Sequence, residues 1–156
     1  MEIAILAVGK LRPYFREACD DYLRRLGRYA TASEYQVAEA SRAGTATVQR
    51  REETARLLAR LPAAARPVIL SRQGEPWSSR ELARELARWR EGRRPVALLI
   101  GGSHGLDTDQ FQAGDQRWSL GPLTLPHELA RVVVCEQLYR AFTILRGEPY
   151  HKGAEP

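Results

Sequence analysis

The chain reads as an α/β protein, one domain over residues 1–156 with a mostly parallel sheet flanked by helices. Two observations predict this. Apolar runs of strand length alternate with longer stretches of helical spacing from end to end. Helix start and stop residues fall in the gaps between them, with no linker, internal repeat or low-complexity tract to split the chain.

The elements follow in order. Residues 2–8 are almost wholly apolar, as a buried strand is, and stop at Gly9. Pro13 opens a helix whose inner side carries Phe15, Cys19, Tyr22 and Leu26, and Gly27 closes it. Residues 34–39 alternate loosely and predict a second strand; 40–44 form a loop. Residues 46–61 predict a charged helix with Leu57, Leu58 and Leu61 turned inward, stopped by Pro62. Residues 67–70 predict a short third strand. Ser78 with Glu81 makes a capping box, and the helix it starts shows Leu82, Leu86 and Trp89 on one side before Gly92. Residues 95–100 are the fourth strand, 107–113 hold one or two helical turns, and 117–120 make the last strand. Pro126 begins a long helix running to Leu145 and Gly147, after which comes the tail Glu148-Pro149-Tyr150-His151-Lys152.

Composition narrows the function. At 44% hydrophobic and 28% charged residues, the chain is an ordinary globular protein, and no apolar run approaches the roughly 20 residues of a bilayer span. The N-terminus lacks a basic region and a cleavage site, so the expectation is a cytoplasmic protein with no membrane partner. Cys19 and Cys135 have no cysteine or histidine at metal-ligand spacing; they read as buried apolar residues, with neither disulfide nor metal. The net charge of +5 is carried almost entirely by arginine, since Lys10 and Lys152 are the only lysines. It admits a polyanionic partner and equally a solvated surface, because many arginines alternate with glutamate at helical spacing, as in Arg80-Glu81, Arg84-Glu85 and Arg88.

Ligands of parallel sheets sit beyond the carboxyl ends of the strands. Three such ends are rich in turn residues: Leu70-Ser71, Ile100-Gly101-Gly102 and Leu120-Gly121-Pro122. The second continues as Gly101-Gly102-Ser103-His104-Gly105, which matches the G-x-S-x-G elbow of serine hydrolases, with Asp107 or Asp115 and His127 following in the right order. Against that reading stand the short chain, the lack of an HGGG-type stretch and the polar, short segment after the elbow. A simple turn is the plainest alternative. G-x-G-x-x-G and G-x-x-x-x-G-K-[ST] are both absent, so a ligand gripped by its phosphates is not expected.

The stretches LLIGGSHGL, SLGPLTLPHELARVVVCEQLYRAF and RGEPYHK resemble the RlmH family, small SPOUT-class RNA methyltransferases acting on a pseudouridine of 23S ribosomal RNA. The resemblance runs from Ile5 to Lys152 and is most specific in the last third; residues 30–65 match only in length and pattern. It implies an α/β fold with a C-terminal trefoil knot, a rare exception to unknotted connectivity. It implies S-adenosyl-L-methionine held bent in that knot, largely by backbone, at Leu70, Gly101, Leu120, Gly121, Pro122, Leu123, Thr124 and Leu125. The glycines are then expected to let main chain approach the adenosyl group. It further implies a homodimer through the C-terminal helix, an active site shared by both subunits, and methylation of N3 of a pseudouridine in the helix 69 stem-loop of assembled ribosomes, without a metal.

The transfer needs an aligned acceptor and removal of the N3 proton. His127, Glu136 and His151 are the candidate proton acceptors or orienters. Arg140 and Lys152 are candidates for a phosphate or a base carbonyl, and Tyr150 for stacking on the base, which makes Arg140, Tyr150, His151 and Lys152 the RNA-facing set. Each has a plainer reading: His127 as a helix-start residue, Glu136 and Arg140 as a surface ion pair, the tail as a frayed end. Tyr139 reads as core.

Overall fold

The structure is a computed structural model that describes residues 1–42 and 44–151, without the side chain of His151. Five strands, β1 (Glu2–Val8), β2 (Thr31–Val37), β3 (Arg66–Glu75), β4 (Val96–Ile100) and β5 (Gln116–Trp118), form one sheet in the order β2-β1-β4-β3-β5. Every pairing is parallel. Four helices complete the fold: α1 (Pro13–Leu26), α2 (Ala46–Leu58), α3 (Ser79–Glu91) and α4 (His127–Leu145). Short 3-10 turns cover Thr108–Gln110 and Pro149–His151. Among the described residues no helix is long and apolar enough to cross a membrane.

The central strands are apolar throughout because both faces of the sheet are covered. Ile3, Ile5, Ala7, Val96, Leu98 and Val68 point to one side, where they pack with residues of α1, α3 and α4. Ala4, Leu6, Val8, Ala97 and Leu99 point to the other, against Leu57 of α2. A one-residue register slip would exchange these two sets, so the alternation locks the pairing. α4 packs against both α1 and α3, and its inner residues Val134, Leu138, Ala141 and Phe142 are all buried.

Two charged residues of α4 tie it to the carboxyl end of the sheet. Arg131 is 1% exposed. Its guanidinium donates to the carbonyls of Val8 (3.1 Å) and Gly9 (2.8 Å), to Glu34 Oε2 (3.2 Å) and to Gln36 Oε1 (2.7 Å). Glu128, also buried, accepts from the Arg12 backbone N–H at 2.6 Å and so serves the start of α1, which has no side-chain cap of its own. Cys19 and Cys135 meet where α1 packs on α4; both are free and buried. Hydrogen bonding to Cys19, together with burial, pushes the Cys135 thiol well above its ordinary range, so it stays protonated and inert.

Several boundaries differ from the sequence-based expectation. β2 occupies 31–37, not 34–39, because the Thr31 N–H is drawn onto the Met1 carbonyl and pairing starts there. β3 runs to Glu75, not Leu70. Its polar segment 71–74 bulges, so that both Leu70 and Glu75 align with Trp118. A bulge breaks the two-residue alternation by which strands are recognised. α2 ends at Leu58, and Arg60 and Leu61 continue in i→i+3 bonds. β5 ends at Trp118; the Ser119 N–H still donates to the Glu75 carbonyl at 2.9 Å, and Leu120 lies beyond the pairing.

Candidate active site

Beyond β5, Ser119 and Leu120 build the wall of a cavity. A space of about 850 Å³ opens at the β3 bulge and beyond the carboxyl ends of β4 and β5, in the upper part of the range for small-molecule sites. Its walls come from three segments. Leu70 contributes from β3, Ile100 and Gly101 from β4, and the 119–127 segment closes the third side. Of the eight positions singled out for the cofactor, Leu70, Gly101, Leu120, Gly121, Leu123, Thr124 and Leu125 line this space; Pro122 is exposed and does not.

The glycine turn has a local cause. The Gly105 N–H donates to the Gly102 carbonyl at 3.0 Å, and these two residues form an isolated antiparallel bridge. A Cβ on Gly101 would lie 2.4 Å from the Gly105 carbonyl carbon, and Gly105 has φ +75°. Gly102 faces away, towards Val8 and Glu53. A side chain at Gly101 would meet the chain itself before any ligand: the close approach this glycine permits here is that of Gly105. Gly121, at φ +105° with open space at its Cβ position, marks the other reversal.

The serine-hydrolase reading also fails on geometry. Ser103 is exposed. Asp107 spends its carboxylate on the Asp109 N–H and the Gln110 side-chain amide. His127 Nε2 is buried without a hydrogen-bond partner. Nucleophile, base and orienting acid are thus not coupled.

Several positioning residues were not singled out from the sequence. The Ser119 hydroxyl accepts from the Gly121 N–H at 3.1 Å and sets the loop's entry. Thr54 Oγ1 on α2 accepts from the Asp107 N–H at 2.9 Å, and Glu53 Oε2 accepts from the Ala40 N–H at 3.0 Å. α2 thereby braces the segment after β4 and the segment after β2. S-x-G at 119–121 was a readable turn signal; Thr54 and Glu53 sit in a charged helix and look like its solvated face.

The sequence-predicted catalytic residues fall into two groups. His127, first residue of α4, lines the cavity. Its Nε2 lies 3.9 Å from Glu39 Oε1. Glu136, Arg140 and Tyr150 form a second cluster. Glu136 Oε1 accepts from Arg140 Nε (2.9 Å), Arg140 Nη2 (2.7 Å) and the Tyr150 hydroxyl (3.0 Å). The Arg140 guanidinium stands 4.9 Å over the Tyr150 ring, which meets Tyr139 edge-on at 4.6 Å. Burial first, then hydrogen bonds with Tyr22 and Glu136, raise the Tyr150 phenol far above its ordinary range, so it is a proton donor and not a base. Glu136 lies nine residues beyond His127, about 13 Å along a helix rising 1.5 Å per residue, and none of its cluster lines the cavity. One chain does not bring the two groups together. The His151 side chain and Lys152 lie outside the described residues.

Residues 1–151 match the family model described as a predicted SPOUT methyltransferase. The chain belongs to the SPOUT methyltransferase family. Among curated relatives of this SPOUT methyltransferase, the ribosomal RNA large subunit methyltransferase H of Rubrobacter xylanophilus is 52% identical over 154 residues, covering 94% of this chain and 96% of its own. The protein of the same name from Pseudomonas aeruginosa is 43% identical, covering 97% and 100%. Solved structures share the fold at low identity. The tRNA (m1G37) methyltransferase of Aquifex aeolicus has a TM-score of 0.54 at 14% identity, over 100% of this chain and 74% of its own. A putative methylase family protein of Neisseria gonorrhoeae has 0.55 at 15%, over 99% and 84%.

The cavity suits the methyl donor of such an enzyme. Leu70, Ile100, Leu120, Leu123 and Leu125 offer apolar surface, and among the described residues no aspartate or glutamate lines it. A neutral nucleoside fits walls of that kind.

Proposed function

We propose that this protein uses S-adenosyl-L-methionine to methylate N3 of a pseudouridine in the helix 69 stem-loop of 23S ribosomal RNA, on assembled ribosomes in the cytoplasm. The observation that carries the reading is the cavity at the β3 bulge and the ends of β4 and β5, where seven of the eight positions expected to hold the donor share one space. The names of the relatives supply the substrate class.

When bound, S-adenosyl-L-methionine supplies an electrophilic methyl group, which the acceptor nitrogen takes by in-line displacement. Leu70, Leu120 and Leu125 exclude water from the nucleoside, and backbone groups of Gly101 and the 120–125 loop hold its edges. His127, whose Nε2 has no hydrogen-bond partner at the cavity wall, is the candidate to receive the N3 proton. Tyr150 stacks on or donates to the base, and Arg140, with His151 and Lys152 of the tail, engages RNA. Glu136 orients Arg140 and Tyr150.

Because one chain keeps His127 apart from Glu136, Arg140 and Tyr150, the reading includes a homodimer through α4, whose partner subunit would complete each site. The outward stripe of Leu129, Val133, Gln137 and Arg140, half-exposed along the helix, supports it. The reading also includes the family's trefoil knot. The return of α4 from the edge strand β5 to pack against both α1 and α3 is consistent with a threaded C-terminal segment.

The test is mass spectrometry of 23S ribosomal RNA from a deletion strain. One pseudouridine in the helix 69 loop should lose a methyl group, and purified protein with S-adenosyl-L-methionine should restore it on intact ribosomes. A methyl group missing from another nucleotide would keep the methyltransferase and refute the site.

A further inference from the structure

The cavity holds charge of one sign only. Arg50 of α2 and Arg72 of the β3 bulge both line it, among walls free of carboxylates. Several arginines elsewhere in the molecule are matched with acids: Arg16 and Arg131 with Glu34, Arg140 with Glu136, Arg12 with Glu128. Among the described residues neither the Arg50 nor the Arg72 guanidinium has a protein hydrogen-bond or ion-pair partner. Arg72 is exposed, so water serves it; Arg50 is half-buried in the wall. A half-buried cation without a protein partner, in the wall of a cavity that holds no carboxylate, calls for an anion.

We propose that Arg50 binds the carboxylate of the methyl donor's methionyl arm, with Arg72 adding positive charge at the open rim; this rests on the donor-cavity reading above. The donor carries a sulfonium, an ammonium and one carboxylate. Two guanidiniums repel the first two and attract only the third, so their position dictates which end of the donor lies towards α2. The nucleoside then takes the leucine-lined part of the cavity and the methionyl arm points to Arg50. An RNA phosphate is the other anion at hand. It runs along the surface, where Arg72 meets it more readily than a half-buried Arg50 does. Arg50 sits on a helix that also holds the segment after β4 through Thr54 and Asp107, so donor binding and the order of that segment are linked through α2.

The experiment is calorimetry with two unreactive nucleosides: S-adenosylhomocysteine, which has the carboxylate, and 5′-methylthioadenosine, which lacks the amino-acid arm. Arg50→Ala should weaken S-adenosylhomocysteine on the order of ten-fold or more, the scale of a charge-assisted hydrogen bond. It should leave 5′-methylthioadenosine within about two-fold. Arg50→Lys should recover part of the loss. Equal losses for both nucleosides would make Arg50 a shaping residue and overturn the assignment. Unchanged affinities with a raised KM for ribosomes would overturn it in favour of RNA phosphate. If the wild-type protein binds neither nucleoside, the donor cavity itself is refuted, and the assignment with it.

Discussion

A Cβ on Gly101 would meet the Gly105 carbonyl carbon at 2.4 Å, and backbone cannot yield as a flexible side chain can. Gly101→Val should therefore destabilise the folded protein even without ligand, by about 2 kcal/mol or more, read from denaturant unfolding. A variant of full stability that fails only to bind nucleoside would show that Gly101 serves the ligand after all. The residues at this scale were legible in unequal measure. Gly101 and Leu120 stood out because turn chemistry at strand ends is written locally; Leu70 stood out as a strand end and is in fact at a bulge within β3. Arg131 did not, because a buried arginine is recognised by what surrounds it. Its four partners lie on β1, just after it and on β2, some 95 to 123 positions away.

Between α4 and the start of α1's partner strand, the tail is held as an element. The Tyr29 hydroxyl donates to Glu148, and its ring stacks on Phe142 at 5.3 Å. Tyr150 is anchored on Glu136. Truncation after Gly147 should leave the sheet, the fold and nucleoside affinity intact while abolishing methylation; ligand calorimetry and a ribosome methylation assay check the two halves. Full activity would remove the tail from the mechanism. The anchor also has a pH signature. Burial, then the Glu148 contact, lifts the Tyr29 phenol to about 12 from an ordinary value of 10. A raised folded-state value means stability fully present below about pH 10 and fading as pH climbs towards 12. The difference in urea midpoint between wild type and Tyr29→Phe should shrink over that window. At this scale the helices were readable from their caps, such as the Ser78–Glu81 box. β3 was not, since its bulge hides the pattern of 71–75.

For the whole molecule, the decisive question is how His127 meets Glu136, Arg140 and Tyr150. If two copies pair along α4, light scattering should report a dimer. Val133→Asp, at a half-exposed position of α4, should yield a monomer that still binds nucleoside but does not methylate. A wild-type monomer with full activity would refute the shared site and require the tail to reach the cavity within one chain.

The sequence by itself determined the α/β class, the strand and helix order and the reversals after β4 and β5, because each is set by side-chain periodicity and turn chemistry within a few residues. It also carried the family, through motifs in its last third. Only the tertiary structure decided that those reversals enclose one acid-free space, that Gly101 is demanded by Gly105, and that the catalytic candidates divide into two groups. Those facts depend on which distant segments the parallel sheet brings side by side, and on how far along one helix two residues stand, and no local pattern encodes either.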